Sequence, residues 1–281
     1  MPFTVTPLSP VMGATIEGLD LGADIDDQTL AAVLRAWHEA GGLLVFKRQH
    51  LSPEAQIAFS RRLGPLERHT LGKFLLPGYP EIYRVSTKRG PAGEALGNDQ
   101  AGRYWHSDLC YLSPPSLCSI LYALEVPRLG GDTLFCNTHR AWKGLSEPMR
   151  EFLAERRAVH DFRYVFRLFS SFGAGDVQTD LPPVSQPVVR VHADTGRHCL
   201  YVNPGFTTHI EGLRREESDA LLAMLFAHMD RPEYVYRHRW SAGDVLMWDN
   251  RCTMHRAVPD FSPDDGPRHM HRTTVMDTQP A

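Results

Sequence analysis

The chain has 281 residues, of which 42% are apolar, and this is enough for one sizeable hydrophobic core. Its formal net charge is −3, and no run of Lys or Arg indicates binding to nucleic acid or to an anionic membrane. The sequence starts without a basic segment followed by an apolar run, and no apolar stretch approaches the roughly 20 residues that span a bilayer. We therefore expect one domain over residues 1–281, located in the cytoplasm.

The first third of the sequence predicts two helices with a strand between them. The first helix begins at Asp27 and ends at the glycine pair 41–42. Its apolar stripe consists of Leu30, Val33, Leu34 and Trp37. The apolar run 43–46 predicts a buried strand. The Ser-Pro pair at 52–53 is a typical helix start, and we expect the second helix to end at Gly64.

Two segments have the character of long loops. Residues 86–103 are polar and rich in glycine, which predicts a lid just before the most informative motif of the chain. Residues 165–183 predict a second lid. We expect these two loops to control which substrate is accepted.

Short strands dominate after residue 105. The predicted strands are 119–123, 133–136, 188–192, 199–202, 234–240, 245–248 and 270–276. The turns at 193–197 and 241–244 predict that the third and fourth strands, and the fifth and sixth, form hairpins. Helical patterns interrupt the strands at 139–157 and 215–229. This order predicts a mostly β fold with flanking helices, either a β-barrel or a jelly roll.

The five cysteines indicate neither disulfides nor a zinc site. They are scattered, odd in number and without a C-x-x-C pair: Cys110, Cys118, Cys136, Cys199 and Cys252. We interpret them as free and mostly buried thiols.

Three residues form a candidate metal site. In a strand, residues two apart point to the same face, so His106 and Asp108 are expected to lie side by side. Alone, this spacing is weak, since a surface His beside a solvated Asp is the commoner outcome. His255 follows a predicted strand and supplies a second imidazole. Two histidines and one carboxylate on one face of a metal match the facial triad of non-haem Fe(II) oxygenases.

Two arginines near the end of the chain are candidates for anion binding. Arg268 and Arg272 are four residues apart, so in a strand they share a face. A guanidinium matches a carboxylate or sulfonate with two parallel hydrogen bonds. A pair of surface arginines is the alternative. Arg268 follows His255 by thirteen residues and is placed to hold the distal carboxylate of a keto acid that chelates the metal.

The chain resembles the taurine dioxygenase / 2,4-dichlorophenoxyacetate dioxygenase family over nearly its whole length. The matching segments, in order, are 6–8, 13–21, 105–108, 130–133, 160–163, 202–208, 231–233, 248–251, 255 and 270–272. The ordered set is specific, although each piece alone is not. The resemblance implies a double-stranded β-helix, or jelly-roll, core.

The resemblance also implies a role for each matching residue. The implied iron ligands are His106, Asp108 and His255. The implied contacts to 2-oxoglutarate are Thr133 and Arg268. The implied substrate-binding residues are His69, Phe166 and Arg272. The chain departs from the taurine enzyme at Gly72, Gly102 and Val165, which predicts a larger and more apolar ligand than taurine.

We therefore expect an Fe(II)- and 2-oxoglutarate-dependent dioxygenase that uses O₂ and releases succinate and CO₂. Its substrate is expected to be a small organic anion: a sulfonate, a sulfate ester or a carboxylate. Related halogenases lack the carboxylate ligand, so Asp108 favours hydroxylation. We expect a homo-oligomer with no nucleic-acid or membrane partner. A zinc hydrolase and a non-catalytic metal-binding barrel are the alternatives, although neither explains Arg268 and Thr133.

Overall fold

The structure, a computed structural model, describes residues 3–68, 72–168 and 181–278, with the backbone alone for residues 166–168. Five α-helices lie in these ranges: α1 (Asp27–Glu39), α2 (Pro53–Arg61), α3 (Thr138–Lys143), α4 (Glu147–Ala154) and α5 (Arg215–Met229). None of the described helices is long and apolar enough to cross a membrane.

Strands make up most of the remaining regular structure. They are β1 (Thr4–Pro7), β2 (Ala14–Glu17), β3 (Leu43–Phe46), β4 (Leu75–Leu76), β5 (Tyr79–Ser86), β6 (Ser116–Glu125), β7 (Thr133–Asn137), β8 (Arg157–His160), β9 (Val184–Pro187), β10 (Val189–Val191), β11 (His198–Leu200), β12 (Thr207–Ile210), β13 (Val235–His238), β14 (Val245–Asp249), β15 (Thr253–Ala257) and β16 (His269–Met276). The fold is therefore mostly β with a few helices, as the sequence predicts.

Two sheets carry the main core. The large sheet has eight strands in the order β1-β2-β3-β14-β6-β16-β5-β4, and a three-stranded sheet has the order β13-β7-β15. Strands β12, β8 and β9 form a second three-stranded sheet, and β10 pairs with β11. Most pairs are antiparallel, but β2 and β3 are parallel.

Both faces of the large sheet are covered at β3, which explains why this strand is apolar throughout rather than alternating. On one face, Leu44 and Phe46 pack with Trp37 of α1 and Phe59 of α2. On the other face, Leu43 and other residues pack against Phe135 of the three-stranded sheet. The uninterrupted apolar run of β3 is therefore the signature of a strand buried between helices and a second sheet.

The predicted starts of the first two helices are confirmed. Asp26 caps α1 by accepting a hydrogen bond from the amide of Thr29, and Ser52 caps α2 in the same way. Helix α2 ends at Arg61, three residues before the predicted end at Gly64. The amide of Arg62 bonds the Phe59 carbonyl, three residues back, so the last turn tightens before the glycine is reached.

The prediction of one helix over 139–157 is wrong, because two helices occupy this segment. Helix α3 ends at Lys143, and the amide of the following residue, Gly144, bonds the carbonyls of Arg140 and Ala141. Ser146 then starts α4, with a proline in its first turn. A proline has no N–H to continue the hydrogen-bond ladder of a preceding helix, so a new helix begins here.

One predicted hairpin is present and the other is not. Strands β10 and β11 pair as expected. Strand β13, however, pairs with β7 in the three-stranded sheet, whereas β14 pairs with β3 and β6 in the large sheet. The turn at 241–244 therefore carries the chain from one sheet to the other. The carboxylate of Asp244 in this turn is buried and accepts a hydrogen bond from Lys47 Nζ at 2.9 Å, which holds the turn between the two sheets in place.

The loop after β5 is irregular, in agreement with the prediction for residues 86–103, although Ser86 itself ends the strand. Whether it acts as a lid stays a prediction. The second predicted lid, at 165–183, lies largely outside the described residues.

Gly42 provides a test of the close packing beside the turn that leads to β15. Its φ is +83°, and an added Cβ would lie 2.7 Å from Cys252 Sγ and 2.9 Å from Asp249 Cβ. We expect Gly42→Ala to lower the free energy of unfolding by about 1–2 kcal/mol from the left-handed backbone, plus about 1–3 kcal/mol from overpacking. Urea denaturation measures the change.

Gly212→Ala is the matched control for this substitution. Gly212 has a φ of +78°, and an added Cβ would meet no atom within 4 Å. The free energy of unfolding of Gly212→Ala should therefore fall only by the part that comes from the left-handed backbone. Equal losses for the two variants would contradict the packing described around Gly42.

Candidate active site

His106 and Asp108 lie together, but they do not lie in a strand as predicted. His106 forms an isolated bridge with His255 of β15, through two backbone hydrogen bonds of 3.0 and 2.8 Å. Leu109 adopts a φ of +52° directly after Asp108 and turns the chain. The bridge therefore brings the two histidines together, and the turn brings the carboxylate beside them.

The three side chains form a compact, buried group. Asp108 Oδ1 lies 3.5 Å from His106 Nε2, and Asp108 Oδ2 lies 3.9 Å from His255 Nε2. His106 Nδ1 lies 2.9 Å from the Tyr104 carbonyl, so Nδ1 carries the proton and Nε2 presents its lone pair. This is the tautomer that a metal-bound histidine adopts. The donor set fits a divalent metal ion with open positions for other ligands.

Asp108 is ionised in spite of its burial. Burial alone would raise its pKa, but Arg272, His255 and His106 together hold the pKa of this carboxyl well below its usual range. Arg272 Nη1 donates to Oδ1 at 2.7 Å, and Ser119 Oγ donates to Oδ2 at 2.6 Å. Each oxygen thus accepts one hydrogen bond and keeps lone-pair capacity for a metal.

A chain of hydrogen bonds fixes the orientation of Asp108 from behind. Asn250 Nδ2 donates to Ser119 Oγ at 3.0 Å, and Asn250 Oδ1 accepts from Trp248 Nε1 and from the Asp108 amide. Ser119 therefore accepts from Asn250 while it donates to the carboxylate. No sequence motif marks Ser119, because it lies inside the long strand β6 and becomes a neighbour of Asp108 only in the folded chain.

Thr133 and Arg268 form a second polar group, on the first residue of β7 and just before β16. Arg268 Nη2 donates to Thr133 Oγ1 at 3.4 Å, and its Nε donates to the Gly131 carbonyl at 3.1 Å. Gly130 and Gly131 both have positive φ, and a Cβ on Gly130 would lie 2.5 Å from the Asp260 carbonyl. The Gly-Gly turn is therefore required to aim this carbonyl at Arg268.

Arg268 is a buried cation without a carboxylate within 4 Å in the described part of the chain. Burial lowers its pKa to about 10, and Asp132 opposes this effect from a distance. The guanidinium is therefore charged at neutral pH. A buried charge without a counterion is costly, and the arrangement fits a site that an anionic ligand completes.

Arg272 has binding capacity beyond its bond to Asp108. Its Nε is buried and has no hydrogen-bond partner among the described residues. The guanidinium lies 5.2 Å from the ring centre of Tyr83. Glu67 is a further carboxyl near Arg272, and burial raises its pKa to about 7, against the opposing effect of Arg272. At neutral pH Glu67 is thus only partly charged and does not cancel the positive charge of Arg272.

Aromatic rings line the side of the site next to His106. Phe206 lies 6.2 Å from the His106 ring, 5.8 Å from Tyr104 and 4.7 Å from Tyr111, measured between ring centres. Phe162 packs on Tyr111 at 4.7 Å. These four aromatic residues, Tyr104, Tyr111, Phe162 and Phe206, form an apolar wall, which the sequence did not predict.

The remaining predicted residues are only partly described. His69 lies outside the described residues, and for Phe166 only the backbone is described, in a short 3-10 helix (Phe162–Leu168). Its neighbour Val165 is buried with the aromatic wall. A Cβ on Gly102 would lie 3.1 Å from His106 Cε1. The glycine at this position therefore leaves space directly beside a candidate metal ligand.

The chain is similar to known proteins over nearly its whole length. Residues 4–274 match the model of the family described as "Taurine catabolism dioxygenase TauD, TfdA family". The alpha-ketoglutarate-dependent 2,4-dichlorophenoxyacetate dioxygenase of Cupriavidus pinatubonensis is 36% identical over 99% of both chains. The (S)-phenoxypropionate/alpha-ketoglutarate-dioxygenase of Sphingobium herbicidovorans is 33% identical over 92% of this chain and 90% of the relative. The crystal structure of AAD-2 with Mn(II) and N-oxalylglycine superposes with a TM-score of 0.83, at 28% identity over 100% and 99% of the chains.

Ser119 provides a test of the hydrogen-bond chain behind Asp108. We expect Ser119→Ala to weaken the binding of Mn²⁺ by roughly 10- to 100-fold, because a carboxylate without its outer partner is less well oriented. Electron paramagnetic resonance of free Mn²⁺ measures the affinity. Ser60→Ala is the control, since Ser60 also makes a buried hydrogen bond, to Thr273, away from the candidate ligands. Unchanged affinity for Mn²⁺ in Ser119→Ala would show that the hydrogen bonds through Ser119 do not position the Asp108 carboxylate.

Proposed function

The chain belongs to the taurine catabolism dioxygenase TauD, TfdA family, and we propose that it is an Fe(II)- and 2-oxoglutarate-dependent dioxygenase that oxidises a small organic anion. The reaction would consume O₂ and release succinate and CO₂. One observation carries this proposal: the strand pairing of β7 with β15 places a buried His-Asp-His group beside Thr133, which bonds a buried arginine that has no carboxylate within 4 Å among the described residues. Such a pair fits a metal that is chelated by one end of a keto acid whose other end is a carboxylate.

The metal ligands of the proposal are His106, Asp108 and His255. Bound Fe(II) would supply the redox chemistry with O₂ and the positions that chelate the keto acid. The chain itself holds His106 in the required tautomer through the Tyr104 carbonyl and keeps Asp108 ionised. The solved relative that contains Mn(II) and N-oxalylglycine supports a divalent metal together with a keto-acid analogue in this fold.

Arg268 and Thr133 are proposed to hold the distal carboxylate of 2-oxoglutarate. Arg268 would pair its charge with the carboxylate, and the Thr133 hydroxyl would donate a hydrogen bond. Holding the far end of the cosubstrate limits the orientations of the end that reaches the metal.

For the substrate we propose a carboxylate that carries an aromatic ring. Arg272 would bind the carboxylate through the donors that Asp108 leaves available, and Tyr104, Tyr111, Phe162 and Phe206 would contact the ring. Two relatives that span most of the chain are named for phenoxyalkanoate substrates, which supports this choice. His69 and Phe166 remain proposed substrate contacts on the resemblance alone.

The zinc hydrolase and the non-catalytic barrel are not supported by the comparisons, because the matching proteins are named as 2-oxoglutarate-dependent dioxygenases. We also propose that the core is a double-stranded β-helix. The packing of Phe135 on the large sheet, and the passage of the chain between sheets at 241–244, support this assignment.

The proposal predicts that succinate forms only with Fe(II) and 2-oxoglutarate, and fastest with aryloxyalkanoates. Succinate is measured in the presence of ascorbate with phenoxyacetates, alkyl sulfates, alkyl sulfonates and taurine. Asp108→Ala should lose all activity, because it removes the carboxylate ligand. Ser60→Ala should keep it. Turnover that is stimulated by taurine and not by any aryl acid would contradict the substrate class, and succinate formation by Asp108→Ala would contradict the metal ligands.

A further inference from the structure

The Thr133 hydroxyl has its acceptor capacity filled. Its Oγ1 accepts one hydrogen bond from Trp240 Nε1 at 3.0 Å and one from Arg268 Nη2 at 3.4 Å. A hydroxyl offers two lone pairs and one proton, so Thr133 can form a further hydrogen bond only as a donor. Among the described residues no group accepts that proton. The hydroxyl is therefore set to donate to a ligand.

Trp240 contacts both members of the proposed carboxylate site. Its indole N–H bonds Thr133, and the Arg268 guanidinium carbon lies 5.9 Å from its ring centre. A guanidinium over an indole face is attracted by the ring quadrupole, most strongly when water is excluded. Both residues are buried. One side chain thus fixes the direction of the hydroxyl proton and supports the guanidinium.

Trp240 is itself held in place from behind. The His238 ring packs edge-on against it, with 4.8 Å between ring centres and an interplanar angle of 88°. Asp244 Oδ2 lies 3.4 Å from His238 Nε2 and bonds Lys47 Nζ at 2.9 Å. The indole ring thus contacts His238 while its N–H bonds Thr133, and these two contacts together fix the direction of the N–H.

We propose that Trp240 is the positioning residue for the distal carboxylate of the cosubstrate. Its indole N–H occupies a lone pair of Thr133 Oγ1 and so directs the hydroxyl proton toward the carboxylate, while its ring supports Arg268. This inference rests on the proposed 2-oxoglutarate dependence and extends it to a residue that does not touch the cosubstrate.

Trp240→Phe isolates the hydrogen bond. Phenylalanine keeps an aromatic face near Arg268 and removes the N–H, so the Thr133 hydroxyl can turn away. We expect the Kd for 2-oxoglutarate to rise by roughly three- to tenfold, the effect of losing one oriented neutral hydrogen bond. The Kd for 2-oxopentanoate should not change, because this keto acid of the same chain length ends in a methyl group. Isothermal titration calorimetry on Mn²⁺-loaded protein measures both constants without turnover.

Two further variants keep the experiment decisive. Trp142→Phe is the matched control: Trp142 is a buried tryptophan in another core cluster, and its replacement should leave both constants unchanged. Thr133→Val removes the hydroxyl, and in that background Trp240→Phe should have little further effect on 2-oxoglutarate. Such non-additivity identifies two residues that act through one contact.

The possible results separate this inference from the proposed function. Weaker binding of 2-oxoglutarate alone, with non-additivity, supports the role of Trp240. Equal binding by Trp240→Phe and wild type, an equal loss for both keto acids, or additive effects would overturn it. A wild-type protein that does not bind 2-oxoglutarate at all would instead contradict the proposed function, and this inference with it.

Discussion

The buried carboxylate of Asp108 is the group around which the site is organised. An ionised carboxylate away from water is stable only when hydrogen bonds and a cation replace its hydration. Arg272 supplies the cation and Ser119 a hydroxyl. Both positions follow from the pairing of β16 with β6, in which Thr274 lies opposite Ser119 and Arg272 lies opposite Leu121. A slip of one residue in this register would turn Ser119 or Arg272 to the other face of the sheet. The fold and the charge state of the site therefore depend on the same strand pairing.

The two packed sheets contribute different parts of the site. The large sheet provides the partners of Asp108, from β6, β16 and the turn after β14. The three-stranded sheet provides His255 on β15 and Thr133 on β7, and Trp240 follows β13. The ring of His255 packs on Trp248 of the large sheet with 4.7 Å between ring centres. The candidate metal site thus lies where the sheets meet, and neither sheet could form it alone.

Local patterns predicted the first two helices and several strands, but not the partners of those strands. The caps at Asp26 and Ser52 and the apolar run of β3 are set by neighbouring residues, so the sequence predicted them well. The predicted hairpin over 234–248 is wrong, because the alternation of polar and apolar residues in a strand does not specify which sheet the strand joins. The prediction that His106 and Asp108 lie side by side is confirmed, but the reason given for it is wrong. A bridge to His255 and a left-handed turn at Leu109, rather than a strand, bring the two side chains together. Ser119 and Trp240 reach the site only through tertiary packing, and no spacing in the sequence reveals them.

The account is tested most directly by the absorption spectrum of the protein with Fe(II) and 2-oxoglutarate in the absence of oxygen. A keto acid chelated to protein-bound Fe(II) gives a metal-to-ligand charge-transfer band in the visible region, which requires the metal and the cosubstrate in one site. We expect the band in the wild-type chain and its loss in Asp108→Ala. In Arg268→Gln it should appear only at much higher 2-oxoglutarate concentration. No band in the wild type, or an equal band in Asp108→Ala, would contradict the proposed His106, Asp108 and His255 centre.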